Sequence, residues 1–379
     1  QIFSATTMSH LVPSLRFAKR SSPCVSRIHN SIHRSYATNN YPDVSSHPFR
    51  SMLYVPASNT RALEKLDKLS GSMKPDAVMF DLEDGVGPNN KEEARTNLLQ
   101  FFQNRKTASS SPNDYFGIVR INRVGTPWFE DDALMALKMV MGKETNVSGV
   151  ALPKIEGRKD VDLISHHFLS LSKDDASFIS TENENGQVSP VVSPVPLWAM
   201  VETPRAILAA SEIACHPSVQ GLIIGTNDLS KELRLVPPTA SAIDFSSKTT
   251  REGLSTSLQL TVLAARAHDK IVIDGVYNNF RDEEGFRREC VQGKHLGMNG
   301  KTLIHPNQIS ATNEILAPSA EEIEYARRVV ACWEDTTTAN SESVSFTGVA
   351  VLDGMMIEQL HVDSAKRLLE QAAKIDSME

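Results

Sequence analysis

From residue 51 onward, short apolar runs rich in β-branched residues alternate with longer amphipathic stretches, and no other feature narrows the possible folds as far. Alternation of this kind is what strand–helix units on a parallel sheet produce, because each strand is buried on both faces while each helix buries only one stripe. Eight strands are read at residues 51–55, 76–80, 115–121, 148–152, 196–201, 219–224, 270–273 and 295–298. Helix-period segments lie at 60–69, 91–103, 127–141, 205–214, 254–267 and 280–294. Eight such pairs predict a (β/α)8 TIM barrel over residues 50–317, a size one domain of this kind readily reaches. Two stretches, 172–194 and 236–250, are rich in polar residues and Pro and read as surface excursions. Helices at 309–315 and 320–334, a polar linker at 335–343 and a tail from 344 follow, so that residues 318–379 form a C-terminal helical extension. The tail is too short for a core of its own and is expected to act as a lid on its own barrel or on a neighbouring subunit.

The first forty residues differ in kind. No Asp or Glu precedes Asp43, while Arg16, Lys19, Arg20, Arg27 and Arg34 alternate with Ser and apolar residues. That is the composition of a transit peptide, so residues 1–36 are read as one, directing the chain to the mitochondrial matrix. Elsewhere charge excludes more than it suggests. With 39 Lys and Arg against 46 Asp and Glu, the net charge is -7, which favours neither nucleic acid nor an anionic membrane surface. No apolar run approaches the ~20 residues that cross a bilayer. Cys24, Cys215, Cys290 and Cys332 form neither a CxxC pair nor a zinc-ligand spacing.

In a barrel of this type the chemistry stands at the carboxyl ends of the strands, so polar residues there are the candidates. Tyr54 ends the first strand; Asp81, Glu83 and Asp84 follow the second; Arg120 and Lys154 follow the third and fourth. Glu202, Asp228 and Asp274 follow the next three, and Lys301 with His305 the last. Each alone is equally well a helix cap or an ion-pair partner; the recurrence around the ring is what points to a site. Glu202, in WAMVETP, and Asp228, in LIIGTNDLS, suit a hard cation such as magnesium, which is often held by one or two carboxylates with water and substrate oxygens completing its shell. Asp228 also reads as a cap for the helix after it, and spacing does not separate the two roles. Arg120 is a candidate clamp for a carboxylate or a developing oxyanion, or a salt-bridge partner of Asp81 or Glu83. Arg61 and Lys65, four apart on the first helix, share a face and with Tyr54 could grip phosphate, though exposed basic pairs are common. Asp353 and Glu358, in VLDGMMIEQ, are tail acids that could move a proton if the tail closes over a barrel mouth, or could simply touch a partner.

The segments LYVPASNTRALEKL, VMFDLEDGV, VRINRVGTPW, LPKIE, VETP, GTNDLS, IDGVYNNFRDEEGF, GMNGKTLIHPNQI and LDGMMIE, in this order, resemble the citrate lyase beta-subunit-like branch of the HpcH/HpaI aldolase superfamily, nearest its mitochondrial citramalyl-CoA lyase type. The resemblance runs from about Met52 to about Ala373. It implies a magnesium-dependent lyase that cleaves or forms a 3-hydroxyacyl-CoA such as citramalyl-CoA or malyl-CoA, giving acetyl-CoA and pyruvate or another oxo acid. By it, Glu202 and Asp228 hold the metal, Arg120 clamps the oxo acid, and Tyr54, Arg61 and Lys65 contact coenzyme A. It also implies a homotrimer in which the tail lends an acid to the neighbouring site. Two positions depart from the pattern: Glu358 stands where relatives carry Asp after Met-Ile, placing the carboxyl one methylene further out, and Ala57 stands where Gly is usual. An aldolase working without coenzyme A, and a weakened barrel that binds thioesters as a regulatory subunit, are the competing expectations.

Overall fold

The computed structural model describes residue 44 and residues 47–107, 115–142, 145–173, 193–235, 251–339 and 348–378, so the expected transit segment, most of the 172–194 excursion and all of the 236–250 excursion lie outside the described residues. Strands β1 (Ser51–Pro56), β2 (Ala77–Asp81), β3 (Phe116–Arg120), β4 (Val147–Leu152), β5 (Leu197–Val201), β6 (Val219–Ile224), β7 (Ile271–Asp274) and β8 (Gly300–Leu303) pair in parallel, each with the next. The barrel closes where β8 pairs with β1, Met52 lying opposite Thr302. Strands β2 to β5 are buried at every position. Near-continuous apolar runs are therefore their sequence, as expected of strands with helices outside and packed side chains inside.

The barrel interior is filled by alternate residues of successive strands, among them Met52, Met79, Phe116, Ile118, Trp198, Met200, Ile223 and Ile273. Trp198 is wholly buried. It fits because its neighbours on β4 and β6 are Gly149 and Gly221, where an added Cβ would come within 2.9 and 2.6 Å of the indole. A large residue is thus matched to two small ones across three strands.

Around the barrel stand α1 (Thr60–Leu66), α2 (Lys91–Thr107), α3 (Phe129–Met141), α4 (Arg158–Lys173), the short α5 (Pro204–Leu208) and α6 (Ala210–Ala214), α7 (Thr226–Glu232), α8 (Ser255–Arg266), α9 (Glu283–Leu296) and α10 (Asn307–Leu316). Two readings need correction. Residues 295–298 are the end of α9, not the eighth strand: Gly297 takes φ +89°, and the amide of Met298 bonds back to the carbonyl of Gly293, closing the helix. Glycine is the residue that enters this left-handed turn without steric cost, so GMNG is a helix stop and GKTL the strand. The linker read at 335–343 is helical as far as Ala339, because α11 spans Ala320–Ala339.

The tail forms the hairpin β9 (Ala350–Leu352) and β10 (Met355–Ile357), then α12 (Gln359–Asp376). Asp353 and Gly354 make the two-residue turn, both at positive φ, the conformation for which Asp-Gly is preferred. The tail has no core to itself: Val362 and Ala365 pack with Ala350 and Ile357 of the hairpin and with Ala326 and Val329 of α11 into one small cluster.

Candidate active site

Period-two alternation carries the core-facing positions of three strands up to the barrel mouth. Met79 leads to Asp81, Ile118 to Arg120, and Met200 to Glu202, each one pleat further along. Arg120 meets Asp81 through two bonds, Nε to Oδ1 at 2.7 Å and Nη2 to Oδ2 at 2.6 Å, and its Nη1 lies 3.0 Å from Glu83 Oε2. The guanidinium rests 4.9 Å from the centroid of the Tyr54 ring, within cation–π range. The loop after β2 is stapled from inside: Asp81 accepts the amides of Glu83 and Gly85, each at 2.8 Å. Lys91 donates to the carbonyls of Leu82 and Glu83 and to Asn122 Oδ1, at 2.7–2.8 Å.

Beside this clamp lies a cluster of carboxylates around one ammonium. Lys154 Nζ stands 2.7 Å from Asp228 Oδ2, 3.5 Å from Asp84 Oδ2, 3.7 Å from Glu202 Oε1 and 3.9 Å from Glu83 Oε1. Asp228 occupies the first turn of α7, so the helix that it was read as capping also delivers its side chain to the cluster. Glu202 is buried and takes the backbone amide of Lys154 as well. Gly225 leaves room for it: a Cβ there would lie 2.5 Å from Glu202 Oε2.

The electrostatics reflect crowded negative charge. Burial, reinforced by the charge of Asp84 and opposed by Arg120, pushes the Glu83 carboxyl up to about 7. Burial also raises Glu202, against the pull of Lys154. For Lys154 burial works against the charge, but Asp228 and its neighbours outweigh it and hold the ammonium above the usual lysine range. Asp84 is likewise opposed by burial, yet Lys154 and Arg120 keep it below the ordinary carboxylate value.

Other candidates stand apart. Arg61 and Lys65 are exposed on α1, which leaves the mouth end of β1. Asp274 and Lys301, counted in the mouth ring from sequence, instead face outward between barrel and helices. Lys301 Nζ binds Asp274 Oδ2 at 3.0 Å and Glu289 Oε2 of α9 at 3.1 Å, and Arg251 binds Asp274 Oδ1 at 2.6 Å. His305 stacks on Phe280, the ring centroids 4.9 Å apart. In the tail, Asp353 pairs with Arg328 of α11, and Glu358 heads α12, its amide donating to His361 Nδ1. Sequence reading passed over Lys91, Asn122 and Gly225, and it gave Lys154 no role, although Lys154 stands just past the apolar run that ends at Leu152.

Among the described residues, no group of three or more His, Cys, Asp or Glu side chains is arranged to hold a metal ion. A hard cation that keeps water and substrate oxygens needs only one or two carboxylates, and here Glu202 and Asp228 both approach the Lys154 ammonium, with Glu83 and Asp84 beside them and Gly225 leaving room for Glu202.

A closed parallel barrel with such a cluster at the carboxyl ends of its strands has the layout in which barrel enzymes keep their active sites. The profile of the HpcH/HpaI aldolase/citrate lyase family matches residues 50–306, and the chain belongs to that family. It is 38% identical to a (3S)-malyl-CoA thioesterase of Cereibacter sphaeroides, over 87% of this chain and 96% of that one. It is 30% identical to the citrate lyase subunit beta of Haemophilus influenzae, over 85% and 96%. Among solved structures it resembles the protein CitE of Mycobacterium tuberculosis in complex with magnesium, acetoacetate and coenzyme A, with a TM-score of 0.60 and 25% identity, over 86% of this chain and 98% of that one. The relative at 38% identity is thus a thioesterase, not the citramalyl-CoA lyase toward which the motifs lean.

Proposed function

We propose that the chain is a magnesium-dependent carbon–carbon lyase of the mitochondrial matrix, cleaving a 3-hydroxyacyl-CoA such as citramalyl-CoA or malyl-CoA to acetyl-CoA and pyruvate or another oxo acid, or running the reverse condensation. The observation that carries the reading is the approach of both Glu202 and Asp228 to the one ammonium of Lys154 at the barrel mouth. The thioester named for the Cereibacter relative, and the magnesium and coenzyme A named with CitE, support the substrate class. The acid-free basic segment 1–36 supports the compartment.

Glu202 and Asp228 would hold the magnesium, which when bound supplies a Lewis acid for the keto oxygen of the oxo acid. Arg120 spends two of its N–H groups on Asp81 and pairs through charge with Glu83, leaving N–H groups to grip the oxo-acid carboxylate, with its plane already set by Asp81 and the Tyr54 ring. In cleavage the hydroxyl gives up its proton as the carbon–carbon bond breaks, and the electron pair passes to the thioester α-carbon as an enolate. Glu83, poised at about 7, suits a base for that proton. An acid must then protonate the α-carbon, and the tail supplies the candidates Glu358 and Asp353. Neither contacts the mouth cluster of its own chain. Beside them Val351, Met355, Met356 and Leu360 are exposed. We infer that this face docks on a neighbour in a homotrimer and carries the acid there. Arg61 and Lys65 are assigned to the phosphates of coenzyme A, and Tyr54 to the point where the thioester arm meets Arg120.

A thioesterase is the second reading, favoured by the 38% identical relative. One assay separates the two. With citramalyl-CoA or malyl-CoA and magnesium, a lyase releases oxo acid without free thiol, whereas a thioesterase releases coenzyme A thiol and no oxo acid. Lyase turnover that disappears with chelator is the expected result; thiol release alone would replace the reading. Glu358→Gln is expected to lower turnover about 100-fold, the scale of a lost general acid, with Mn2+ affinity unchanged. Should only Asp353→Asn do so, the donor is Asp353.

A further inference from the structure

We propose that Lys154 competes with the divalent cation for the Glu202–Asp228 site, so that its ammonium sets how tightly the metal is held. The inference rests on the metal-site reading above. Lys154 stands two residues past the end of β4 with φ +53°, a left-handed turn that side chains with a Cβ rarely adopt. Its amide is fixed on Glu202, and its Nζ lies within 4 Å of an oxygen from each of four carboxylates. A divalent ion needs its ligand oxygens at about 2.1 Å, inside the space that this ammonium fills. Two cations at such separation repel strongly, so Nζ must release Asp228 before the metal can take it.

Comparison within the molecule shows that Lys154 is held loosely enough to yield. Lys91 has three acceptors at 2.7–2.8 Å, and Lys301 three at 2.6–3.1 Å. Lys154 has two, Asp228 at 2.7 Å and Asp84 at 3.5 Å, with Glu202 and Glu83 standing 3.7 and 3.9 Å away. Its side chain keeps 24% of its exposure, and Asp84, the carboxylate to which it can retreat, keeps 62%. The ammonium therefore screens mutually repelling carboxylates and also lowers metal affinity by the free energy of the contacts it gives up.

Lys154→Met tests this, since it keeps the stem and the backbone amide on Glu202 while removing the charge. Mn2+ titration of the full chain by electron paramagnetic resonance is expected to show about tenfold tighter binding than the parent. In chelator the variant should melt below the parent, and magnesium should raise its melting temperature more than it raises the parent's. Lys154→Arg, which restores a cation, should return affinity toward the parent value, and Lys154→Gln should reproduce the Met result if Met disturbs folding. Unchanged or weaker Mn2+ binding in the Met and Gln variants, with the parent binding intact, overturns the proposal alone. If parent and variants all fail to bind Mn2+, the metal site itself is wrong and the proposal falls with it.

Discussion

Glu202 and Gly225 follow adjacent strands, and the Gly225 amide bonds to the carbonyl of Val201 at 3.2 Å, which brings the glycine under the Glu202 side chain. A methyl group at Gly225 would lie 2.5 Å from both Cβ and Oε2 of Glu202. Gly225→Ala is therefore expected to tilt that carboxylate and weaken Mn2+ binding about tenfold, the scale seen when the support of a metal ligand is lost. Titration of the variant checks it, and an affinity equal to the parent's would show that Glu202 is free to move aside. Sequence reading selected Glu202 and Asp228 because each follows an apolar run, a local feature. It passed over Gly225, whose importance lies in a side chain on the neighbouring strand.

At the scale of strands and helices, the phase of each strand sorts the polar residues at its carboxyl end. Ile271 and Ile273 face the barrel core, so Asp274 is one residue out of phase and points to the helices. There it joins Arg251, Glu289 and Lys301 in a buried network tying β7, β8 and α9 together. Lys301→Met leaves two buried carboxylates sharing one guanidinium, and is expected to destabilise the fold by about 3–5 kcal/mol without changing Mn2+ affinity. Urea unfolding alongside metal titration tests both halves; a loss of metal binding in a still-folded variant would return Lys301 to the mouth. The phase was readable in IVID once the inward pair was known, and the helix stop at Gly297 was readable in GMNG. The apolar residues around each signal masked it, because Leu296 and Met298 suit a strand as well as a helix end.

Over the whole molecule, the tail completes a small core with α11 and leaves an apolar hairpin face beside both candidate proton donors. Met356→Lys on that face is expected to convert a trimer to a monomer in sedimentation velocity while the circular dichroism spectrum stays that of the parent. A parent that sediments as a monomer would remove the homotrimer and with it the delivery of Glu358 to a neighbour. The sequence by itself determined the eightfold alternation, hence the barrel, and the residue types at the strand ends, because period and composition are written in near neighbours along the chain. Only the tertiary structure decided which of those residues meet. Lys154 lies 48 positions from Glu202 and 74 from Asp228, and barrel closure, not local pattern, brings their charges within a few ångströms.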